Sequence, residues 1–327
     1  MRRLGAIAGL TLALVVLEQP AGAQQAHTQR VVYVSDLSAA GDADDWYDAA
    51  VLYSLGWEPT FVLDNPGGVQ LSGSGAAAIR ELNAITGRRG SAHVGLEAPL
   101  RTLTDKGLDQ DHQAAVRAIL DALRASPRRI PIVAVGSLRD VAAAYNRDPR
   151  LVTRKSSTVV VFAGDATAGA PLEPNVLADP KAFVRVLTSG LRVRWVPSFD
   201  GGSWVAGVHS SFVQLPQAEL VAALPGPYRE LLGARGDEPL GNLWAGPLIG
   251  VAVRPNVIRE GRLVARFVPH TVRFADDGSA SSRGTNVGSV ELFTVHDRAL
   301  FADFMHEETI DRVSRLGPGG PDRAAQA

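Results

Sequence analysis

Six short apolar runs, RVVYVS, PTFVLDN, SAHVG, IPIVAVG, TVVVFAG and RVRWVPS, succeed one another along residues 30–198, and a segment with helical patterning separates each from the next. This alternation constrains the fold more than any other feature of the chain. A strand apolar along its whole length must be covered on both faces, and helices between consecutive strands supply that cover. The expectation is an α/β fold with a doubly wound, mostly parallel open sheet and helices on both faces. In such sheets ligands bind beyond the carboxyl ends of the strands.

The intervening helices are read over DDWYDAAVLYSLG, GAAAIRELNAITG, HQAAVRAILDALRAS, SLRDVAAAYNRDP and DPKAFVRVLTSG. Past the sixth run the pattern loosens. One helix is expected over AELVAALPGPYRELLG, strands over RLVARFVPHTVRFADDG and GSVELFTV, and a last helix over RALFADFMHEETIDRVSRL. No internal repeat or linker divides the chain, so one domain is expected from residue 24 to 315, with a disordered tail over 316–327.

The N-terminal MRRLGAIAGLTLALVVLEQPAGA reads as a signal peptide over residues 1–23: Arg2 and Arg3, an apolar run to Leu17, and Ala21-Gly22-Ala23 as an AxA cleavage site. A periplasmic or secreted protein is expected, and no later segment has the roughly 20 apolar residues of a membrane span. With 33 basic against 34 acidic side chains, nucleic acid is not a suggested partner. The absence of cysteine excludes disulfides, thiolate zinc and a cysteine nucleophile, so any metal must be held by oxygen or imidazole.

Chemistry concentrates in SDLSAAGDADDWYDAA, which places Asp36, Asp42, Asp44, Asp45 and Asp48 just after the first strand. A helix N-terminus favours acids, which accounts for one or two of them. Five so close repel one another, so a bound cation or polar ligand is the alternative to a plain acidic cap. Polar residues at neighbouring strand ends, Asn65, Val135 to Ser137 and Ala163 to Asp165, are possible partners. GSGAAA over residues 73–78 matches a dinucleotide fingerprint but lies about ten residues beyond its strand, where the fingerprint needs the strand to run directly into the turn. The scattered histidines show no HExxH spacing, and there is no GxSxG elbow.

The order of segments resembles the inosine and uridine preferring nucleoside hydrolase family. VSDLSAAGDADDWYDAA is similar to its acidic first motif, IPIVAVGSLRDVAAAYNRDPRLV with STVVVFAGD to its central segment, and LEPNVLADPKAFVRVLTSGLRVRWVP to its EFNxxxDPEAA segment. LWAGPLIGVAVRP and VELFTVHDRALFADFM follow in the family's order. The resemblance implies hydrolysis of the N-glycosidic bond of a nucleoside, with a calcium ion that grips the ribose diol and activates water. It implies Asp45 as a bidentate calcium ligand, Val135 as a carbonyl ligand, and Asp36 or Asp42 as the acid that completes the metal site and activates water. Asp44, Glu173 and Asn175 would hold the ribose, with Asn65 on the same rim. Val34 aligns with the first acid of the family's first motif, and Ala245 and Gly246 stand where a C-terminal His-Asp pair is expected. Two readings stay open: a hydrolase, or a binding or scaffold protein that kept the fold. A homo-oligomer is possible in either case.

Overall fold

The structure, a computed structural model, describes residues 29–37, 43–65, 71–233, 240–243, 245, 246, 248, 249 and 256–316; residues 43, 71–74, 232, 233 and 240–242 are described in backbone only. The expected signal peptide, the last eleven residues of the expected tail, and Asp42 lie outside the described residues.

The apolar runs become strands with little adjustment: β1 (Arg30–Ser35), β2 (Glu58–Leu63), β3 (Ser91–Val94), β4 (Ile130–Ala134), β5 (Ser156–Phe162) and β6 (Val193–Val196). Between them run α1 (Ala43–Ser54), α2 (Leu71–Thr86), α3 (Ala114–Ala125), α4 (Arg139–Arg147), α5 (Pro149–Lys155), α6 (Pro174–Ala178) and α7 (Pro180–Leu187). The strands pair in parallel in the order β3-β2-β1-β4-β5-β6. β11 (Asn286–Val295) continues the sheet parallel to β6, and β10 (Arg262–Phe274) and β9 (Asn256–Arg259) close it as antiparallel strands. The expected doubly wound, mostly parallel sheet is therefore present.

Alternation along β1 divides the core between the two faces of the sheet. Val31 and Tyr33 join α1, α2, α8 (Gln217–Ala223) and α10 (Arg298–Ser314) on one side. Val32 and Val34 join α3, α4, α5 and α7 on the other. Successive side chains of a strand point to opposite faces, so Val34 is committed to core packing. α1 is buried almost all round, with Trp46, Tyr47, Ala50 and Leu52 each within 1% of full burial.

Several elements differ from expectation, each for a local reason. The single helix expected over residues 218–233 is two, α8 and α9 (Gly226–Gly233), because Pro225 has no N–H to continue the ladder and Leu224 is extended. α5 was not expected; Asp148 ends α4 and caps α5 by accepting from the Leu151 N–H at 3.0 Å, with Pro149 at its first turn. A two-stranded antiparallel sheet, β7 (Val213–Pro216) with β8 (Leu240–Leu243), stands apart from the main sheet. GSGAAA lies inside α2 rather than at a strand-to-helix turn. A Cβ on Gly75 would come within 2.5 Å of the Leu37 carbonyl, so that glycine lets the helix approach the chain leaving β1.

Candidate functional site

The strand order reverses between β1 and β4, and the chain leaving their carboxyl ends opens a cleft. At the end of β1 the Ser35 hydroxyl accepts from the Leu37 N–H at 3.0 Å, a tight turn that carries Asp36 between them. α1 then starts at Ala43 with Asp44 and Asp45 in its first turn, where the helix dipole favours negative charge. All three aspartates line one cavity of about 80 Å³, together with Val135, Glu173 and Asn175. Its remaining walls are Phe162, Pro174, Ser198, Trp204 and Ala245. Of the residues expected at the site, Asp36, Asp44, Asp45, Val135, Glu173 and Asn175 are thus brought together.

Asn65 is not among them. It is buried, its amide Nδ2 reaches the Gly95 carbonyl at 3.5 Å, and its own carbonyl accepts from Arg139 Nη1 at 3.1 Å. Asn65 is thus tied to the loop after β3 and to Arg139. The Val135 carbonyl, expected to face a metal, accepts from Asn175 Nδ2 at 3.0 Å. Asn175 thereby ties α6 to the end of β4.

Glu173 is the N-cap of α6 and also a tie to β5. Its Oε2 accepts from the Val176 N–H at 3.3 Å and from the Gly164 N–H at 2.9 Å. Gly164 has φ +80°, open to glycine at little cost. Burial pushes the Glu173 carboxyl up to about 7; the backbone N–H groups of Gly164, Asn175 and Val176 hold it back, and the nearby Asp36 charge adds to the rise.

A layer of acids beneath the cleft escaped the sequence reading. Asp64 Oδ2 accepts from the Ser137 N–H at 2.5 Å, and burial, followed by the charge of Asp36, holds its carboxyl well above the usual range. A Cβ on Gly136 would lie 2.7 Å from the Asp36 nitrogen and 2.8 Å from Asp64 Oδ2. Only glycine lets the β4 end press so close. Asp64 neighbours Asn65 at the end of β2, and that position was its one signal in the sequence. Behind it, Asp140 Oδ1 accepts from the Leu96 N–H at 3.1 Å, and burial raises its carboxyl to about 6.

Arg139 is the counterweight. Its buried guanidinium pairs with Asp179 at 3.4 Å and donates to the carbonyls of Asn65 (3.1 Å), Leu96 (2.9 Å) and Ala178 (2.9 Å). One side chain thus fastens the loops after β2, β3 and α6.

The donor set can be tested against the calcium that the family resemblance implies. Calcium takes six to eight oxygen ligands. Among the described residues no three His, Asp or Glu side chains group so as to hold a metal ion. The Val135 carbonyl is engaged by Asn175, and Ala245 lines the cavity where a further acid is expected. A Cβ on the neighbouring Gly246 would meet Asp48 Oδ1 at 3.0 Å, so a larger residue there is cramped as well. The described residues therefore do not fit a calcium site. What they form is a small acidic cavity with hydrogen-bond acceptors on one side and aromatic and apolar walls on the other.

The family model of the inosine-uridine preferring nucleoside hydrolases matches residues 66–313. No curated protein sequence matches the chain. Among solved structures, it is similar to an inosine-guanosine nucleoside hydrolase at TM-score 0.60 and 18% identity, covering 87% of this chain and 98% of that one. It is similar to the purine-preferring ribonucleoside hydrolase from Gardnerella vaginalis at TM-score 0.59 and 14% identity, covering 88% and 99%. It is also similar to the type III effector protein XopQ, solved with adenosine diphosphate ribose, at TM-score 0.56 and 14% identity, covering 88% and 94%. At these identities the structural likeness speaks for the fold. No helix among the described residues is long and apolar enough to cross a membrane.

Proposed function

Because the chain belongs to the inosine-uridine preferring nucleoside hydrolase family, we propose that its acidic cavity binds the ribosyl group of a nucleoside-type compound and hydrolyses the N-glycosidic bond. The observation that carries this reading is the convergence of Asp36, Asp44 and Asp45 on one cavity at the point where the strand order reverses. Ionised carboxylates only accept hydrogen bonds, and paired hydroxyls of a ribose are donors that match them. Cleavage of the C1′–N bond passes through an oxocarbenium-like state, whose positive charge three nearby carboxylates stabilise. Asp36, at the floor, takes a proton from the attacking water; Asp44 and Asp45 orient the sugar diol. Glu173 and Asn175 keep the α6 wall in place through their backbone bonds, so they act on the sugar chiefly by positioning.

A second reading, binding without turnover, is favoured by two observations: Ala245 on the wall and the Asn175 amide on the Val135 carbonyl. One experiment separates the two. Purified protein is incubated with inosine, uridine and other ribonucleosides, with and without calcium, and free ribose is assayed beside equilibrium binding. The hydrolase reading expects ribose release that Asp36→Asn lowers by at least about 10²-fold, the lower range for a positioned acid or base. Binding with no ribose from any compound selects the second reading, and neither binding nor release refutes both.

The export expected from residues 1–23 belongs to the same proposal. The supporting features are the Arg2-Arg3 pair, the apolar run and the AxA site. A mature N-terminus at Gln24, found by mass spectrometry outside the cytoplasm, is the expected result; an intact Met1 end refutes it.

A further inference from the structure

Trp204 lines the acidic cavity and also a second, open groove of about 650 Å³. Both lie along one edge of the sheet. β6 and β11 are parallel to each other and to β5, so the loop leaving β6 and the start of α10 after β11 emerge on the same side as the chain leaving β1 and β4. Val205, Phe212, Leu215, Ala299 and Ala302 join Trp204 in the groove walls, and Gln214 and Arg298 bring polar groups among them. Small-molecule sites have this make-up, mostly apolar with a few placed polar groups, and the volume falls within their roughly 300–1,000 Å³. The acidic cavity is far smaller at about 80 Å³, so the rest of a ribosyl compound seated there lies outside it.

The loop that carries Trp204 is fastened at several points. The Gly164 carbonyl accepts from the Ser198 and Phe199 N–H groups, both at 3.0 Å, while Glu173 holds the Gly164 N–H, so the loop and the α6 wall share one anchor. Gly201 and Gly202, at φ +72° and +86°, donate to Thr167 Oγ1 (3.2 Å) and Asp165 Oδ2 (2.6 Å). Asp200 Oδ2 accepts from the His209 N–H at 3.2 Å and closes the loop on itself. On this fixed frame Trp204, Val205 and Val208 are 50%, 46% and 56% exposed, a concentration of apolar surface that marks a place of binding. We propose that the groove is a second subsite of the same binding site, taking an aryl substituent borne on the heterocycle of the ribosyl compound, and that Trp204 sets this preference. The inference rests on the ribosyl-binding reading above and names the class of compound, an N-riboside whose heterocycle carries an apolar aryl group. The sugar diol meets the aspartates, the heterocycle crosses Trp204, and the aryl group displaces water from the apolar walls. Planar rings also pack on the Trp204 indole and on the Arg298 guanidinium, whose orientation is fixed by donation to the carbonyls of Ser210 (2.7 Å) and Phe212.

The test measures equilibrium binding, with free ribose assayed in parallel, for uridine, adenosine and adenosine carrying a benzyl group on its exocyclic amine. The benzylated compound is expected to bind the wild type about 10-fold or more tighter than adenosine, the worth of burying one aromatic ring. Trp204→Ala is expected to remove most of that gain. Ala299 is an exposed position of α10 on the groove wall, so Ala299→Trp fills the groove without disturbing the core; it is expected to abolish the gain and leave uridine binding within about twofold. Thermal unfolding of both variants checks that each is folded. Equal binding of adenosine and its benzylated form by the wild type, or a gain that survives Ala299→Trp, overturns the second subsite and leaves the ribosyl-binding reading standing. Binding of none of the compounds, with no ribose released, overturns both.

Discussion

Arg139→Met is the most informative perturbation of the scaffold, because it removes one guanidinium on which three loops converge. In the folded protein that group and Asp179 are both buried, at 3% and 0% exposure. Asp179 is not idle otherwise: Oδ2 accepts from the Leu100 N–H at 2.8 Å and Oδ1 from the Ala182 N–H at 2.9 Å. Burial already raises its carboxyl, with Arg139 among the groups holding it down. Removing one partner of a buried pair costs about 3–5 kcal/mol, since the other charge stays in a poorly solvating interior. Total stabilities run to about 5–15 kcal/mol, so a large part of the reserve is at stake. With an m-value near 3 kcal/mol/M, a loss of about 4 kcal/mol lowers the urea midpoint by about 1.3 M. The assay is urea denaturation followed by circular dichroism for the wild type, Arg139→Met, Asp179→Asn and the double variant. Neutralising Asp179 removes the stranded charge, so the double variant is expected to be more stable than Arg139→Met alone. A loss below about 1 kcal/mol for Arg139→Met, or strictly additive losses, refutes the account, because residues in direct contact should couple.

Two further outcomes follow from the site. Glu173 has a folded carboxyl raised from 4.5 to about 7, so the folded state keeps a proton that the unfolded chain releases, and this group makes stability fall as pH rises between those values. The shift is worth on the order of 3 kcal/mol; Glu173→Gln should flatten the fall in denaturant midpoint between pH 5 and 8, and an unchanged slope counts against it. Gly136→Ala should cost about 1–3 kcal/mol as an overpacked contact and weaken ribosyl binding by pushing on Asp36, checked by thermal unfolding and equilibrium binding; wild-type values in both would show that the β4 end gives way easily.

The strands were legible because apolar runs bounded by Gly, Pro and Asp carry their own signal: RVVYVS is β1 to the residue. α5 was not, since seven residues beginning at a proline look like the end of α4 until Asp148 is seen to serve both helices. Asp44 and Asp45 could be singled out by their place at a helix start after a strand. Asp64 could not, because its role depends on the Ser137 N–H, 73 residues away, and on a glycine that admits it. Asn65 is a different case. Its place at a strand end suggested the rim; in the structure its side-chain amide reaches the Gly95 carbonyl and its backbone carbonyl accepts from Arg139. For Glu173 and Asn175 the sequence indicated nearness to the cavity, while their hydrogen bonds show that both also hold backbone in place.

The parallel sheet also dictates an order of assembly. β10 and β11 are neighbours in sequence and can pair as a hairpin early, since closing a short loop costs little entropy. The β1–β4 seam, where Val32 meets Ile132, and the β6–β11 seam, where Trp195 meets Leu292, must wait for distant segments to find each other. Because the aspartate cavity straddles the first of these seams, it is among the last features of the chain to exist, and a partly folded molecule with most of its helices formed has no place to hold a sugar.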